Sequence, residues 1–330
     1  MFRPFISGVA FGAALTAAAI HQPEVIVAQM NFRNWHMVTT FLTASGTSTL
    51  LINIFQRLGY FHLNPRNPST LDLFGPLDGN IIGGFLLGAG MTISGSCPGS
   101  VYAQIGAGVR SGLYTLCGAI LGGIVWSGFL RPALRGRKKS IREGSNTGSL
   151  PLTLDKWIGV SQTGVLVALE SMFAGIVAAI VYLDSPKSDG VVGPVTGGFM
   201  IAAAQLVSIV TRGSLLGTSS SFEEAGEYFW WASGRGARPK SYSTIALTAG
   251  MTFGALAVSL VSSPARVVPD IVIEPTRAVL GGILLAVGSR MAGGCTSGHG
   301  ISGISLLSVS SFVSVAAMFA GGMSVAAIMG

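Results

Sequence analysis

Along the whole chain, apolar runs long enough to cross a bilayer alternate with shorter ones that break at glycine, proline and small polar residues. A spanning helix needs about 20 predominantly apolar residues. Phe5–Ile20 is a short, Gly/Ala-rich run, and Pro23–Met30 is too short to span. His36–Phe55 is a full span, Asn64–Asp78 a proline-containing loop, and Gly79–Ser94 a third apolar run that breaks at Cys97-Pro98-Gly99. A short segment at Val101–Gly108 leads into a span at Gly112–Leu130. After the polar stretch 131–156, Trp157–Tyr182 spans again, Pro186–Gly190 turns, and Gly193–Ile209 is apolar and rich in small residues. Arg212–Ser221 is a short Gly/Ser segment, and Phe222–Arg238, with Trp230 and Trp231, has an interfacial composition. Tyr242–Ser262 spans, 263–277 is a loop, Ala278–Met291 and the short Gly298–Leu306 follow, and Ser308–Met329 closes the chain. The pattern predicts an all-α polytopic membrane protein with about nine transmembrane helices and about four short re-entrant helices.

One stretch occurs twice. Gly83-Gly84-Phe85-Leu86-Leu87-Gly88-Ala89-Gly90 runs on to Ser96-Cys97-Pro98-Gly99, and Gly281-Gly282-Ile283-Leu284-Leu285-Ala286-Val287-Gly288 runs on to Gly294-Cys295-Thr296-Ser297-Gly298. At an offset of 198 residues, Gly83, Gly84, Leu86, Leu87, Gly90, Gly95 and Cys97 meet Gly281, Gly282, Leu284, Leu285, Gly288, Gly293 and Cys295. The expected organisation is a first repeat half at 1–130, a basic polar loop at 131–156, a linking transmembrane helix at 157–183 and a second repeat half at 184–330. One unpaired helix between two halves flips the second relative to the first. That favours inverted repeats with a site at their interface near the midplane, and parallel repeats follow if the count shifts by one.

Composition agrees with a bilayer as solvent. Residues are 49% hydrophobic and only 10% charged, with a mean hydropathy of +0.62, whereas a soluble domain carries about 25% charged residues. The 47 glycines fit close helix–helix contact in lipid. Net charge is +7, and the basic residues gather in polar gaps, most densely at Arg131, Arg135, Arg137, Lys138, Lys139 and Arg142. The positive-inside rule puts that loop on the cytoplasmic side of a plasma membrane or, as a second option, an organelle membrane, and no nucleic-acid role is expected. Three cysteines are too few for a disulfide framework.

Non-helical backbone at membrane depth survives only inside protein or along a polar path, so each break marks a lined pathway. Short helices beginning at 98–102 and 296–299 would bring free N–H groups and partial positive charge to the midplane, which suits a small anion. The candidate substrate-binding residues are Gly95, Ser96, Cys97 and Gly99 from the first break, and Gly294, Cys295, Thr296, Ser297 and His299 from the second. A thiol there is either a polarizable weak donor or a small packed hydrophobe; two at matching repeat positions favour the first. Cys117 has no cysteine opposite it and is expected as a packed core residue. Arg290 is an intramembrane charge, functional by default, that also has the length to snorkel. Gln29, Gln104 and Gln205 serve interhelical hydrogen bonds at least as readily as a ligand. A Cys/His zinc site lacks enough ligands near His299, so neither metal nor cofactor is expected.

The two motifs, through Gly88-Ala89-Gly90-Met91 to Cys97-Pro98-Gly99 and Gly288-Ser289-Arg290-Met291 to Gly298-His299-Gly300, resemble the YeeE/YedE sulphur-transport family, whose bacterial members import thiosulfate. The stretches from Gly198 to Gln205 and Gly213 to Ser221 are similar as well. The resemblance implies an hourglass of spans and short inward helices, with cysteines relaying the anion across the constriction. Family importers also use a cysteine near the end of the first apolar run. Here that run reads Ala17-Ala18-Ala19-Ile20-His21-Gln22-Pro23, so one station of the relay is absent.

The expected function is therefore a transporter or facilitator for a small sulfur-containing anion, with thiosulfate as the leading substrate, and not an enzyme. Its partners are that anion and the lipid bilayer, with a soluble sulfur-accepting protein left open. The rival readings are a membrane-embedded sulfurtransferase carrying a persulfide on cysteine and a non-transporting membrane scaffold.

Overall fold

Glycine decides how the helices of this chain meet. The computed structural model describes residues 2–134, 150–183, 190–262 and 272–329, and every regular element among them is helical. In order these are α1 (Phe2–Ala17), α2 (Pro23–Met30), α3 (His36–Arg57), α4 (Asp78–Ser94), α5 (Ser100–Gly106), α6 (Arg110–Val125), α7 (Leu154–Ile158), α8 (Gln162–Leu183), α9 (Pro194–Arg212), α10 (Ser220–Ala232), α11 (Ser243–Val261), α12 (Pro275–Met291) and α13 (Val309–Met329). A π turn over Trp126–Leu130 extends α6, and a π segment at Ser297–Gly303 passes into a 3-10 turn at Ile304–Leu306.

A methyl built on Gly8 or Gly12 of α1 would run into the Leu247 and Met251 carbonyls of α11, and Gly250 and Gly254 of α11 meet the carbonyls of Phe5 and Val9 in return. Gly88 of α4 meets Met318, and Gly321 of α13 meets Phe85. Gly118 of α6 meets Val279, and Gly282 of α12 meets Thr115. Backbones come this close only where Cβ is missing, which is how helices gain dispersion contact in lipid. The abundance of glycine in the sequence is thus spent at helix crossings.

The two copies of the repeated motif pack on each other. Gly83 of α4 faces Gly288 and Ala292, whereas Gly90 faces Gly281 and Leu285. One number falls as the other rises, so α4 and α12 run antiparallel. Around this pair the contacts are swapped: α4 lies on α13 and α12 on α6, while α1 lies on α11 and α3 on α9.

Among the described residues, six helices are long and apolar enough to cross a membrane: His36–Arg57, Arg110–Leu134, Gln162–Leu183, Pro194–Arg212, Ser243–Val261 and Val309–Met329. The other three expected spans are shorter, with 16 residues in α1 and 17 each in α4 and α12. Each ends just before a left-handed residue: Ala19 at φ 59°, Gly95 at φ 59° and Gly293 at φ 79°. The αL conformation stops a helix by turning its last carbonyls away from the axis. In all three places the chain then enters one of the short segments.

Two expectations need correction. Cys117 is exposed on the outer face of α6 rather than packed in the core, because Gly118 and Thr115, not Cys117, occupy the α12 side of the helix. The stretch Phe222–Arg238 is interfacial only in part. Its helix ends at Ala232, and Phe222 is fully buried with its ring stacked 6.0 Å from that of Tyr102. Of the dense basic cluster, Arg131 is described, whereas Arg135, Arg137, Lys138, Lys139 and Arg142 lie outside the described residues, as does most of the Pro186–Gly190 turn.

Candidate functional site

At the first break, Gly95 turns the chain out of α4, and three polar groups then fold the loop. Ser96 Oγ donates to Gln104 Oε1 at 2.5 Å, and Gln104 Nε2 donates to the Gly95 carbonyl at 2.9 Å. The Cys97 N–H donates to Ser100 Oγ at 2.7 Å, and the Ser100 N–H donates back to Cys97 Sγ at 3.2 Å. This reciprocal pair pins the thiol at the start of α5, in the manner of a capping box. Gln104 and Ser96 are consumed by the loop itself, so both are structural here.

At the second break, Gly293 ends α12 and Cys295 is fully buried. Its sulfur lies 3.3 Å from Ser297 Oγ and 3.5 Å from Thr218 Oγ1. Thr296 donates its hydroxyl to two thioethers, Met318 at 3.4 Å and Met91 at 3.5 Å. His299 does not face open space: Nδ1 lies 3.0 Å from Ser311 Oγ and Nε2 lies 3.1 Å from the Ala292 carbonyl. The imidazole therefore fastens the π segment to α12 and α13. Gly294 lies under that ring and beside the Arg66 guanidinium.

The two breaks border one small cavity. A cavity of about 40 Å³ is bordered by Cys97 and Gly99 from the first break and by Thr296, Ser297 and Ile301 from the second. Phe11, Leu15, Ile20, Met37, Phe41 and Ile201 supply apolar walls. The volume holds roughly three water-sized spheres. Of the nine sequence candidates, Cys97, Gly99, Thr296 and Ser297 border it directly. Cys295 stands behind Ser297, and Gly95, Ser96, Gly294 and His299 build the surrounding framework. Ile20, the last residue of the first apolar run, also borders the cavity.

Beyond Cys295 lies a set of charges. Glu223 of α10 accepts from Arg131 at 2.6 Å and is also ion-paired with Arg290; Arg131 reaches Glu227 at 2.5 Å, and Arg290 Nη1 donates to Ser220 Oγ at 3.2 Å. This network floors an open vestibule of about 1080 Å³ lined by Arg131, Ser220, Glu227, Trp230 and Lys240. Arg290 is thus held by a carboxylate rather than left snorkelling. Gln29 and Gln205 accept from the Val38 N–H at 3.1 Å and Ser302 Oγ at 2.9 Å, interhelical bonds of the kind the sequence held at least as ready as ligand contact. Among the described residues no group of three His, Cys, Asp or Glu side chains is placed to hold a metal ion.

Arg66 is the residue that sequence reading missed. It sits in the loop between α3 and α4, and its Nη1 donates to the Gly293 carbonyl at 3.1 Å, at the second break. The available signal was its setting, Asn64-Pro65-Arg66-Asn67-Pro68, which holds one cation between two prolines.

With this geometry in view, comparison with known proteins is decisive about kinship. A family model described as sulphur transport matches residues 17–324, nearly the whole chain. The chain belongs to the sulphur-transport family. Among family relatives, a thiosulfate transporter of Spirochaeta thermophila is 25% identical over 288 residues, covering 83% of each chain. Proteins named as probable transporters in two strains of Xylella fastidiosa are 30% and 29% identical over 137 residues, which is 42% of this chain but 93% of each relative. Family membership and the six apolar helices make the chain an integral membrane protein, with the plasma membrane as its place.

Proposed function

We propose that the chain passes a small sulfur-containing anion, thiosulfate foremost, through a narrow path bordered by the two cysteine breaks. One observation carries the reading: Cys97 and Ser297, 200 residues apart in sequence, border the same small cavity, and Ser297 in turn touches Cys295. A soft thiol and nearby hydroxyls suit an anion with one terminal sulfur and several oxygens. The weak S–H donor meets sulfur, while hydroxyl and N–H groups meet oxygen. Apolar walls keep water out and leave few polar contacts for a passing ion to break.

The same reading takes α1, α4 and α12 as crossings, giving nine, with two halves inverted about the α4–α12 pair. Support comes from the antiparallel packing of the two motif copies and from the Xylella relatives, nearly all of whose length is covered by 42% of this chain. Seventeen helical residues rise about 26 Å, so the break that follows falls within the hydrocarbon thickness.

Uptake of radiolabelled thiosulfate into liposomes containing only the purified chain tests the proposal. Flux above that of empty liposomes, with weaker competition by sulfate, is expected. No flux, together with a persulfide mass shift on Cys97 or Cys295 during incubation, would replace it with a sulfur-carrier role.

A further inference from the structure

We propose that Arg66 is the oxyanion-binding residue of this site, clamping the sulfonate end of the substrate beside the Cys295 thiol. The inference rests on the transport reading above and adds a recognition element that the cysteine motifs do not contain. The loop carrying Arg66 is fixed on both sides of the residue: its N–H donates to Ser308 Oγ at 2.9 Å, and its carbonyl accepts from Ser310 Oγ at 3.1 Å. Three residues on, Ser69 Oγ donates to the Met291 carbonyl at 2.6 Å. The side chain is therefore delivered to the end of α12 by a braced backbone and not by a wandering loop.

Its charge is not spent within the protein. Arg131 and Arg290 share Glu223, whereas Arg66 forms no ion pair among the described residues, and its Nε is buried without a hydrogen-bond partner. Only Nη1 is used, on the Gly293 carbonyl. The residue as a whole is half-buried and its bond to Gly293 is exposed, so the unused edge of the fork is open to a partner that arrives from outside.

Three glycines let the guanidinium lie close against the second break. A methyl on Gly298 would lie 3.1 Å from Arg66 Nη2 and 3.6 Å from Cys295 Sγ, so that one missing Cβ separates cation and thiol. A methyl on Gly294 would lie 2.9 Å from Nη1. At Gly217 the guanidinium is the single outside group within 4 Å, at 3.8 Å. A planar fork of N–H donors matches two oxygens of a tetrahedral oxyanion, which an ammonium does not. The division of labour follows: Arg66 reads the oxygens and the charge, and Cys295 reads the terminal sulfur.

The test is transport and binding by the full chain in liposomes, with thiosulfate and sulfate as probes, for wild type, Arg66→Gln, Arg66→Lys and Cys295→Ser. Losing a charge-assisted contact predicts that Arg66→Gln raises the half-saturating concentration about 10- to 100-fold for both anions alike. Cys295→Ser weakens thiosulfate more than sulfate. Arg66→Lys keeps a charge and a donor for Gly293 but loses the fork, and is expected several-fold weaker; it also keeps the test alive should the glutamine variant not fold. Gly298→Ala, which sets a methyl between guanidinium and thiol, is expected to weaken both anions. A purely structural role, capping α12, would lower the melting temperature and leave the ratios of anion affinity and the half-saturating concentrations unmoved, and that result overturns the proposal. Wild type that moves and binds neither anion would overturn the transport reading as well. Wild type that transports, with Arg66→Gln and Arg66→Lys indistinguishable from it, overturns only the role of Arg66.

Discussion

Ser297 Oγ lies 3.3 Å from Cys295 Sγ and borders the cavity that Cys97 also borders, so one hydroxyl links the two breaks. Thr296 borders the same cavity, whereas Cys295 stands one residue back from it; Ser297 opens the π segment.

The cysteines separate by role. Cys97→Ala and Cys295→Ala are expected to fold, since each removes only a small buried thiol, yet to lower thiosulfate flux by about tenfold or more, the scale of one lost polar contact at a constriction. Cys117→Ser on the exposed face of α6 is expected to match wild type. Initial rates in liposomes, normalised to folded protein, check all three. A loss with Cys117→Ser equal to the others would point to nonspecific damage.

Helix crossings give the sharpest stability prediction. Gly88→Val places a branched side chain against the Met318 carbonyl and is expected to cost about 3 kcal/mol or more, because overpacking forces backbone to move. Gly175→Ala on α8, where nothing lies within 4 Å, is expected to be neutral or slightly stabilising. Detergent melting curves for the two variants, read against wild type, decide the matter.

Much of this fold is legible from periodicity and length. The bounds of α2, the end of α4 at Ser94 and the end of α12 at Met291 follow from where apolar runs meet glycine and proline. The cysteine breaks are legible because they repeat. What sequence does not reveal is which groups are consumed locally. Ser96 and His299 read as ligands, but Gln104 and Ser311 take them, and those partners are fixed only once α5 and α13 fold back. Arg66 is invisible for the opposite reason. Its loop has no periodicity, and its partners, Gly293 and Ser308, lie more than 200 residues away.

Glu223 is the hub of the charge network, accepting from both Arg131 and Arg290, with its side chain 14% exposed. Glu223→Gln strands Arg290 and is expected to destabilise by about 2 kcal/mol, below the 3–5 kcal/mol typical of fully buried pairs because water reaches the vestibule. Glu227→Gln leaves Arg131 its bond to Glu223 and is expected to cost under about 1 kcal/mol. A double-mutant cycle across Glu223 and Arg290, repeated at high salt, measures the coupling directly.

Orientation follows from the helix ends. Arg57 Nη2 donates to Thr163 at 3.0 Å, joining the end of α3 to the start of α8, and Arg66, Arg131 and Arg290 gather at the same face. With the basic stretch 131–156 beginning at Arg131, the positive-inside rule predicts that this face is cytoplasmic. Lys139→Cys, on a Cys117→Ser background, is expected to resist a membrane-impermeant maleimide in intact cells and to react after permeabilisation. Labelling in intact cells would reverse the orientation.

Most direct of all is a structure of the chain soaked with selenosulfate, read by the anomalous signal of selenium. The expected result is a peak in contact with Cys97 or Cys295, in or beside the cavity bordered by Gly99, Thr296 and Ser297. A peak confined to the outer vestibule or the lipid-facing surface, in protein that still transports thiosulfate, would contradict it.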